Sequence, residues 1–286
     1  ALSLFSIPFL ESGENLNRLI RVENKNELFY HAATKQCFVE TNVGKAALDA
    51  SEGLAILFNT TNGSVKYSFL KGLNMDHVDS DKLTLLNMVK RYIFRQKKQW
   101  NATGNNLLLP PFGENIIDTL SYSPDVAAVT AWMKKEFAKF GMEYVLDMSD
   151  SSIKIQRRLD AEKVMSLPYS SIADTLQRVI FYKTAIASNK NSVLLFEEPE
   201  AHAFPPYVRA ITQDIIESTK NQFFITTHSP FVINDFLEYR HIREELSIFL
   251  IGFKDGQTTA KRLSDEEMNE IYDYGIDLFF SLENYL

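Results

Sequence analysis

The sequence holds a single cysteine, Cys37, so no internal disulfide can form and nothing asks for an oxidising compartment. No apolar run approaches the roughly 20 residues of a membrane-spanning helix, which removes a helical anchor or pore from the expected functions. A basic excess is missing too. The net charge of −7 argues against a surface that holds nucleic acid by charge alone. The eleven glycines are never grouped into a phosphate-binding loop. The one Gly-Lys pair, Gly44-Lys45, is followed by Ala46 where that loop needs a Ser or Thr hydroxyl for magnesium, so a hairpin is expected there. Internal repeats and low-complexity linkers are also lacking. The first ten residues, ALSLFSIPFL, have neither the basic start nor the small-residue cleavage site of a signal peptide, and read as the middle of a buried element.

What is present is an ordinary globular composition, 45% hydrophobic and 23% charged over 286 residues, enough for one extended core. The informative stretch is 191–230. Residues 193–196 are all apolar, the pattern of a parallel strand buried on both faces, and they run straight into Glu197-Glu198-Pro199-Glu200. A second run at 223–227 ends in His228-Ser229-Pro230, and residues 206–220 between them are long enough for a crossover helix. Two buried strands thus deliver carboxylates and an imidazole to one sheet edge, where open α/β sheets bind ligands. Alone, either group reads equally well as a helix-cap residue; together they point to a site.

Before this stretch, residues 18–22, 27–31, 36–41, 54–59 and 65–70 alternate and are separated by turn residues, predicting a mostly antiparallel meander. The apolar spacing of Leu83, Leu86, Val89, Ile93 and Phe94 predicts an amphipathic helix over 81–100. Its Lys90, Arg91, Arg95, Lys97 and Lys98 read as a solvated face, with a nucleic-acid contact as the alternative because Tyr92, Phe94 and Trp100 lie among them. A second helix is expected over 125–141, extended segments at 143–148 and 152–157, and a long helix ending at 188. Beyond the histidine turn the pattern gives strands at 246–252 and 258–263 around Gly256. An acidic helix at 264–274 and an apolar end, 278–286, follow; that end reads as a core or dimer contact. His31, His77 and His241 have no partner pattern.

Over residues 166–236 the order of motifs resembles the ABC-type ATPase heads of the SMC-like and OLD-like AAA ATPases. It runs Asp174-Thr175-Leu176-Gln177-Arg178, helix, apolar strand, Glu-Glu-Pro-Glu-Ala-His, helix, apolar strand, Thr-Thr-His-Ser-Pro. Residues 255–280 are similar to the tail of the same small prokaryotic ATPases, more faintly. The resemblance implies an α/β fold of the P-loop NTPase, ABC-head type, with a mixed central sheet, an antiparallel β lobe and a helical insertion. It is expected as one domain over 1–286, divided into an N-terminal β lobe (1–72), a helical insertion lobe (73–165) and a half carrying signature, Walker B and histidine switch (166–286).

The resemblance also implies ATP and Mg²⁺. Glu197 would hold the metal, Glu198 would polarise the attacking water, and His228 would meet that water or the γ-phosphate. Asp174, Thr175, Gln177 and Arg178 would open a helix toward the phosphates of a partner subunit, and Glu200 and His202 would lie in the dimer-facing loop. The sequence departs from the family pattern in carrying Ala173 and Thr175 where the signature has Ser and Gly, and Glu197 where Asp is commoner. The phosphate loop itself is absent, and Ala1-Leu2 matches the helix that follows it in such ATPases, so the sequence is expected to begin one or two turns inside that helix. The implied protein is a cytoplasmic ATP-gated clamp or sensor. It would form a head-to-tail homodimer, with an effector such as a nuclease or with nucleic acid as further partners, in phage defence or DNA maintenance. The alternatives are a scaffold that keeps the fold without turnover, and a metal-dependent hydrolase using Glu198, Glu200, His202 and His228 as ligands.

Overall fold

The computed structural model describes residues 14–286 apart from 21, 30–34, 43, 52, 61–62, 71, 81–87, 97–99, 101–102, 240–241 and 243, and for 77–80 the backbone only. The expected helix at the start of the chain, His31 and His241 therefore lie outside the described residues.

Five strands, β1 (Gln36–Thr41), β2 (Gly44–Asp49), β3 (Leu54–Thr60), β4 (Gly63–Phe69) and β5 (Met75–Ser80), form an antiparallel meander in sequence order. Alternation sets its inner face: Leu54, Ile56 and Phe58 on β3 and Val65, Tyr67 and Phe69 on β4 are buried while their neighbours face out. Gly44 answers the Gly-Lys question. Its φ is +154°, and a Cβ there would stand 2.5 Å from the carbonyl oxygen of Asn59, so glycine is required by the close approach of β3 and not by a phosphate.

The central sheet is parallel, in the order β11 (Asn221–Thr226), β10 (Ser192–Glu197), β6 (Val89–Tyr92). β10 is buried on both faces. Leu194 and Phe196 point into a core built with α1 (Ile116–Tyr122), α2 (Ala127–Ala138), α3 (Asp174–Ser188) and α4 (Pro205–Glu217), whereas Leu195 and Val89 close the core of the meander. The α/β architecture with an antiparallel lobe is thus the expected one. A second antiparallel sheet, β7 (Glu143–Asp147), β8 (Ser152–Arg158) and β9 (Val164–Pro168), leads into α3. After β11 come α5 (Pro230–Glu238), the hairpin β12 (Phe249–Lys254) and β13 (Gln257–Arg262), α6 (Asp265–Tyr274) and the short α7 (Leu282–Tyr285), which share a small core of their own. The acidic helix α6 starts where its capping box predicts: Ser264 accepts from the Glu267 amide, and Glu267 accepts from the Ser264 amide in return.

Several expectations are corrected. The described parts of 18–22 and 27–31 are not strands. Short 3₁₀ turns, Leu16–Arg18 and Lys25–Leu28, replace them because Asn15 and Asn24 bend the chain by accepting hydrogen bonds from the amides two residues on. No helix forms in the described part of 81–100: Val89–Tyr92 are the buried strand β6 and 93–96 are extended coil, so Lys90 and Arg91 point inward, Arg95 is exposed, and Lys97 and Lys98 lie outside the described residues. Helix α5 separates the histidine turn from β12, which were expected to follow directly.

Candidate functional site

The parallel register brings Glu197 opposite Thr226 and Phe196 opposite Tyr92, so the carboxyl ends of three strands finish together. The Glu198 amide extends the ladder by donating to the Thr226 carbonyl at 2.8 Å. There the chain breaks away. Glu198 has φ +43° and His202 φ +58°, and between them the amides of Ala201 and Ala203 donate to the carbonyls of Glu198 (3.0 Å) and Glu200 (2.9 Å). Non-glycine residues held at positive φ at both ends of an acidic turn store backbone strain where a site is expected.

Glu200 ties this turn to the histidine turn. Its Oε1 accepts from Thr227 Oγ1 at 2.5 Å and from the His228 amide at 3.3 Å, and the Ser229 amide donates to Thr227 Oγ1 at 3.0 Å. This latch sets the relation that matters chemically: His228 Nε2 lies 3.7 Å from Glu198 Oε1, with side chains 83% and 41% exposed. At that separation the two are neighbours without a direct hydrogen bond, and both are open to a ligand. A carboxylate able to draw a proton from water and an imidazole able to donate to an anion thus converge from adjacent strands.

Glu197, one residue earlier, is ion-paired with Arg91 of β6. The donor set fits a magnesium ion, which favours one or two carboxylates plus phosphate and water oxygens over a protein cage. Glu200 Oε2 adds to that fit. It is buried without a hydrogen-bond partner, an unsatisfied anionic oxygen in the same turn. The four-ligand hydrolase set is not assembled: among the described residues no group of three His, Cys, Asp or Glu side chains could hold a metal ion.

The helix α3 lies beside the acidic turn and is stitched to it, Thr175 Oγ1 donating to the His202 carbonyl at 2.7 Å. Asp174, at the first position of α3, is 3.8 Å from Arg178, whose guanidinium rests 4.8 Å from the Phe94 ring centroid. Gln177 is fully buried. Its amide nitrogen donates to the Ile172 carbonyl at 3.0 Å, closing the turn that precedes the helix. His202 is exposed at the end of the acidic turn. Of the nine residues singled out from the sequence, Glu197, Glu198, Glu200 and His228 converge on one edge; Thr175 and His202 form its border; Asp174, Gln177 and Arg178 line the helix behind.

Two features were missed in the sequence. β6 brings Arg91 to Glu197 and carries Phe94 and the exposed Gln96 past the same edge, Gln96 donating to the Ser170 carbonyl at 3.4 Å. The signal for β6 was the double burial of β10, because a strand covered on both faces needs a neighbour on each edge. The other is Phe279, whose ring lies against His228, and which no local pattern announces.

A family model described as "AAA domain, putative AbiEii toxin, Type IV TA system" matches residues 65–234, more than half of the chain and all of the edge just described. No curated protein matches the sequence. Among solved structures, an SMC head bound to the C-terminal winged-helix domain of ScpA is similar at 15% identity and TM-score 0.47, over 93% of this chain and 86% of that one. The SMC head domain from Thermotoga maritima is similar at 13% identity and TM-score 0.34, over 77% and 74%. No helix among the described residues is long and apolar enough to cross a membrane.

Proposed function

Because the chain belongs to this AAA-domain family, we propose that it is an ATP-hydrolysing head in which Glu198 activates the attacking water and His228 meets the γ-phosphate or that water. The observation that carries the reading is the approach of His228 to Glu198 at 3.7 Å, fixed by the Glu200 latch between two strand ends. Activating water needs a base within reach of its proton, and stabilising the transferred phosphoryl group needs a donor on the same side. Magnesium, held through Glu197 with Glu200 close by, would neutralise phosphate charge.

The protein's own groups do the rest. Strain at Glu198 turns its carboxylate out of the sheet, Thr227 and Glu200 hold the two turns in register, and Thr175 fixes the acidic turn on α3. Exposed Phe204, at the end of the acidic turn, and Phe231, at the start of α5, flank the site, which supports closure against a second copy of the chain. The proposal extends to a clamp or sensor role coupled to an effector, in phage defence or DNA maintenance, on the ground of the motif resemblance alone.

The test is phosphate release from ATP by the natural full-length protein, with and without Mg²⁺, compared with Glu198→Gln. Loss of about 100-fold or more in the variant is expected for a residue in this role. Equal phosphate release in the two proteins removes Glu198 from the chemistry. Absence of turnover alongside retained ATP binding favours the scaffold reading.

A further inference from the structure

His228 is an exposed side chain at the tip of a turn, a setting in which an imidazole samples several rotamers. A segment outside the sheet approaches it. After α6 the chain reverses at Gly275, in the left-handed conformation at φ +62°, and the Ile276 amide returns to the Ile271 carbonyl at 3.0 Å. Leu278 is then buried against Met268 and Ile271 of α6 and Leu237 of α5, the helix that begins two residues after His228. The same small core thus anchors both the helix leaving the histidine turn and the segment returning to it. The following residues form a tight turn: the Phe279 amide donates to Asp277 Oδ1 at 2.9 Å and the Ser281 amide to the Asp277 carbonyl at 3.1 Å. The Phe279 ring is delivered to 6.2 Å from the imidazole, centroid to centroid, at an interplanar angle of 52°.

We propose that Phe279 is a positioning residue: the carboxyl-terminal segment lays its ring against one side of His228 and holds the imidazole toward Glu198. The inference rests on the ATPase reading above and adds a part to that site, drawn from residues far beyond the stretch that supplies its carboxylates. A tilted aromatic contact at this separation lies within the range over which ring pairs attract, and it disfavours imidazole rotamers that would point into the space the Phe279 ring occupies. Burial of Leu278 makes the placement specific, because the residue immediately before Phe279 is packed in a core. The C-terminal lobe is thereby coupled mechanically to the catalytic edge: displacement of 275–281 releases His228.

The experiment uses the natural full-length protein and the variants Phe279→Ala, Phe279→Tyr, His228→Gln and Glu198→Gln. Phe279→Ala is expected to lower kcat about tenfold with KM nearly unchanged, and Phe279→Tyr, which keeps the ring, to restore it to within about threefold. In histidine-labelled protein, the ring resonances of His228, assigned by their loss in His228→Gln, are expected to shift in Phe279→Ala as the ring current disappears. A purely structural role would lower the melting temperature without this split. If Glu198→Gln and His228→Gln abolish turnover while Phe279→Ala leaves kcat intact, the positioning role is overturned and the ATPase reading stands. If neither of those two affects turnover, the ATPase reading fails; the resonances then still judge the contact, and an unshifted His228 ring in Phe279→Ala overturns it.

Discussion

Arg91 and Glu197 form an ion pair between neighbouring parallel strands, from side chains 10% and 33% exposed. Arg91 stands opposite Leu195, so Glu197, two residues on, projects from the same face of the sheet. The pair ties the last residue of β10 to β6 just before the chain enters the acidic turn. Glu197→Gln is expected to destabilise the protein by about 1 kcal/mol, between an exposed ion pair and a buried charge-assisted hydrogen bond, because Glu197 is a third exposed. Urea unfolding monitored by circular dichroism checks it, and an unchanged midpoint would show that the pair contributes no net stability.

Strain and chemistry are separable at Glu198. At φ +43° an L-residue carries a cost on the order of 1 kcal/mol that glycine does not. Glu198→Gly and Glu198→Gln are both expected to lose ATP turnover, but only the glycine variant relieves the backbone. Its melting temperature should equal or exceed that of the glutamine variant. The reverse order would mean that the left-handed turn is not strained in the folded protein.

The strand, acidic turn, helix, strand and histidine turn were legible because each carries a local signature: an unbroken apolar run for β10, Phe223-Phe224-Ile225 for β11, Pro205-Pro206 opening α4, and Pro230 opening α5 after His228. β11, expected to be buried like β10, has alternate residues such as Phe224 exposed because the sheet's described pairing ends there. β6 was not, since its pattern is Val-Lys-Arg-Tyr and its two cations satisfy themselves internally, Lys90 on Asn189 and Ser192, and Arg91 on Glu197. Those partners lie about a hundred residues along the chain, beyond any periodicity window. The same holds for the Glu200 latch and for Phe279, whose meaning depends on which turns the fold brings together. Asn15 and Asn24 show the opposite failure: a local side-chain bond overrode an alternating pattern that otherwise reads as strand.

A second internal pair lies between α3 and α4. Lys183 Nζ donates to Asp214 Oδ2 at 2.6 Å and to the Ala210 carbonyl at 3.1 Å, and it sits 5.4 Å from the Trp132 ring centroid. Burial pushes the Asp214 carboxyl above its ordinary range, with Lys183 opposing the shift. Lys183→Met should therefore cost about 3 kcal/mol, because it strands a desolvated carboxylate. Adding Asp214→Leu should recover most of the loss. A double variant no more stable than the single one would show that packing around Trp132, and not the charge, sets the cost.

Lys90 makes stability depend on alkaline pH. Its ammonium group is buried beneath the central sheet, donating to Asn189 Oδ1 at 2.7 Å and Ser192 Oγ at 2.9 Å, and desolvation brings its pKa down to about 8 from the ordinary 10.5. A lysine whose folded pKa lies below its unfolded one binds fewer protons when folded throughout that interval. Stability is therefore expected to rise with pH between about 8 and 10, by on the order of 2 kcal/mol, and the full penalty of the buried cation persists below pH 8. Tyr92, next in the same network through Asn189, contributes to the upper limit together with the buried Tyr67, Tyr169 and Tyr182. Burial pushes its phenol well above its ordinary value of 10.0, so beyond that pH the unfolded chain ionises first and stability falls again. Chemical denaturation across pH 7–11 should show the maximum, and Lys90→Met should remove the rising limb while leaving the fall. The absolute stability of that variant is a poor guide, since methionine also leaves the Asn189 and Ser192 oxygens without their donor. The slope is the test: a wild-type curve that stays flat from pH 8 to 10 would mean that no buried cation is being relieved between β6 and β10.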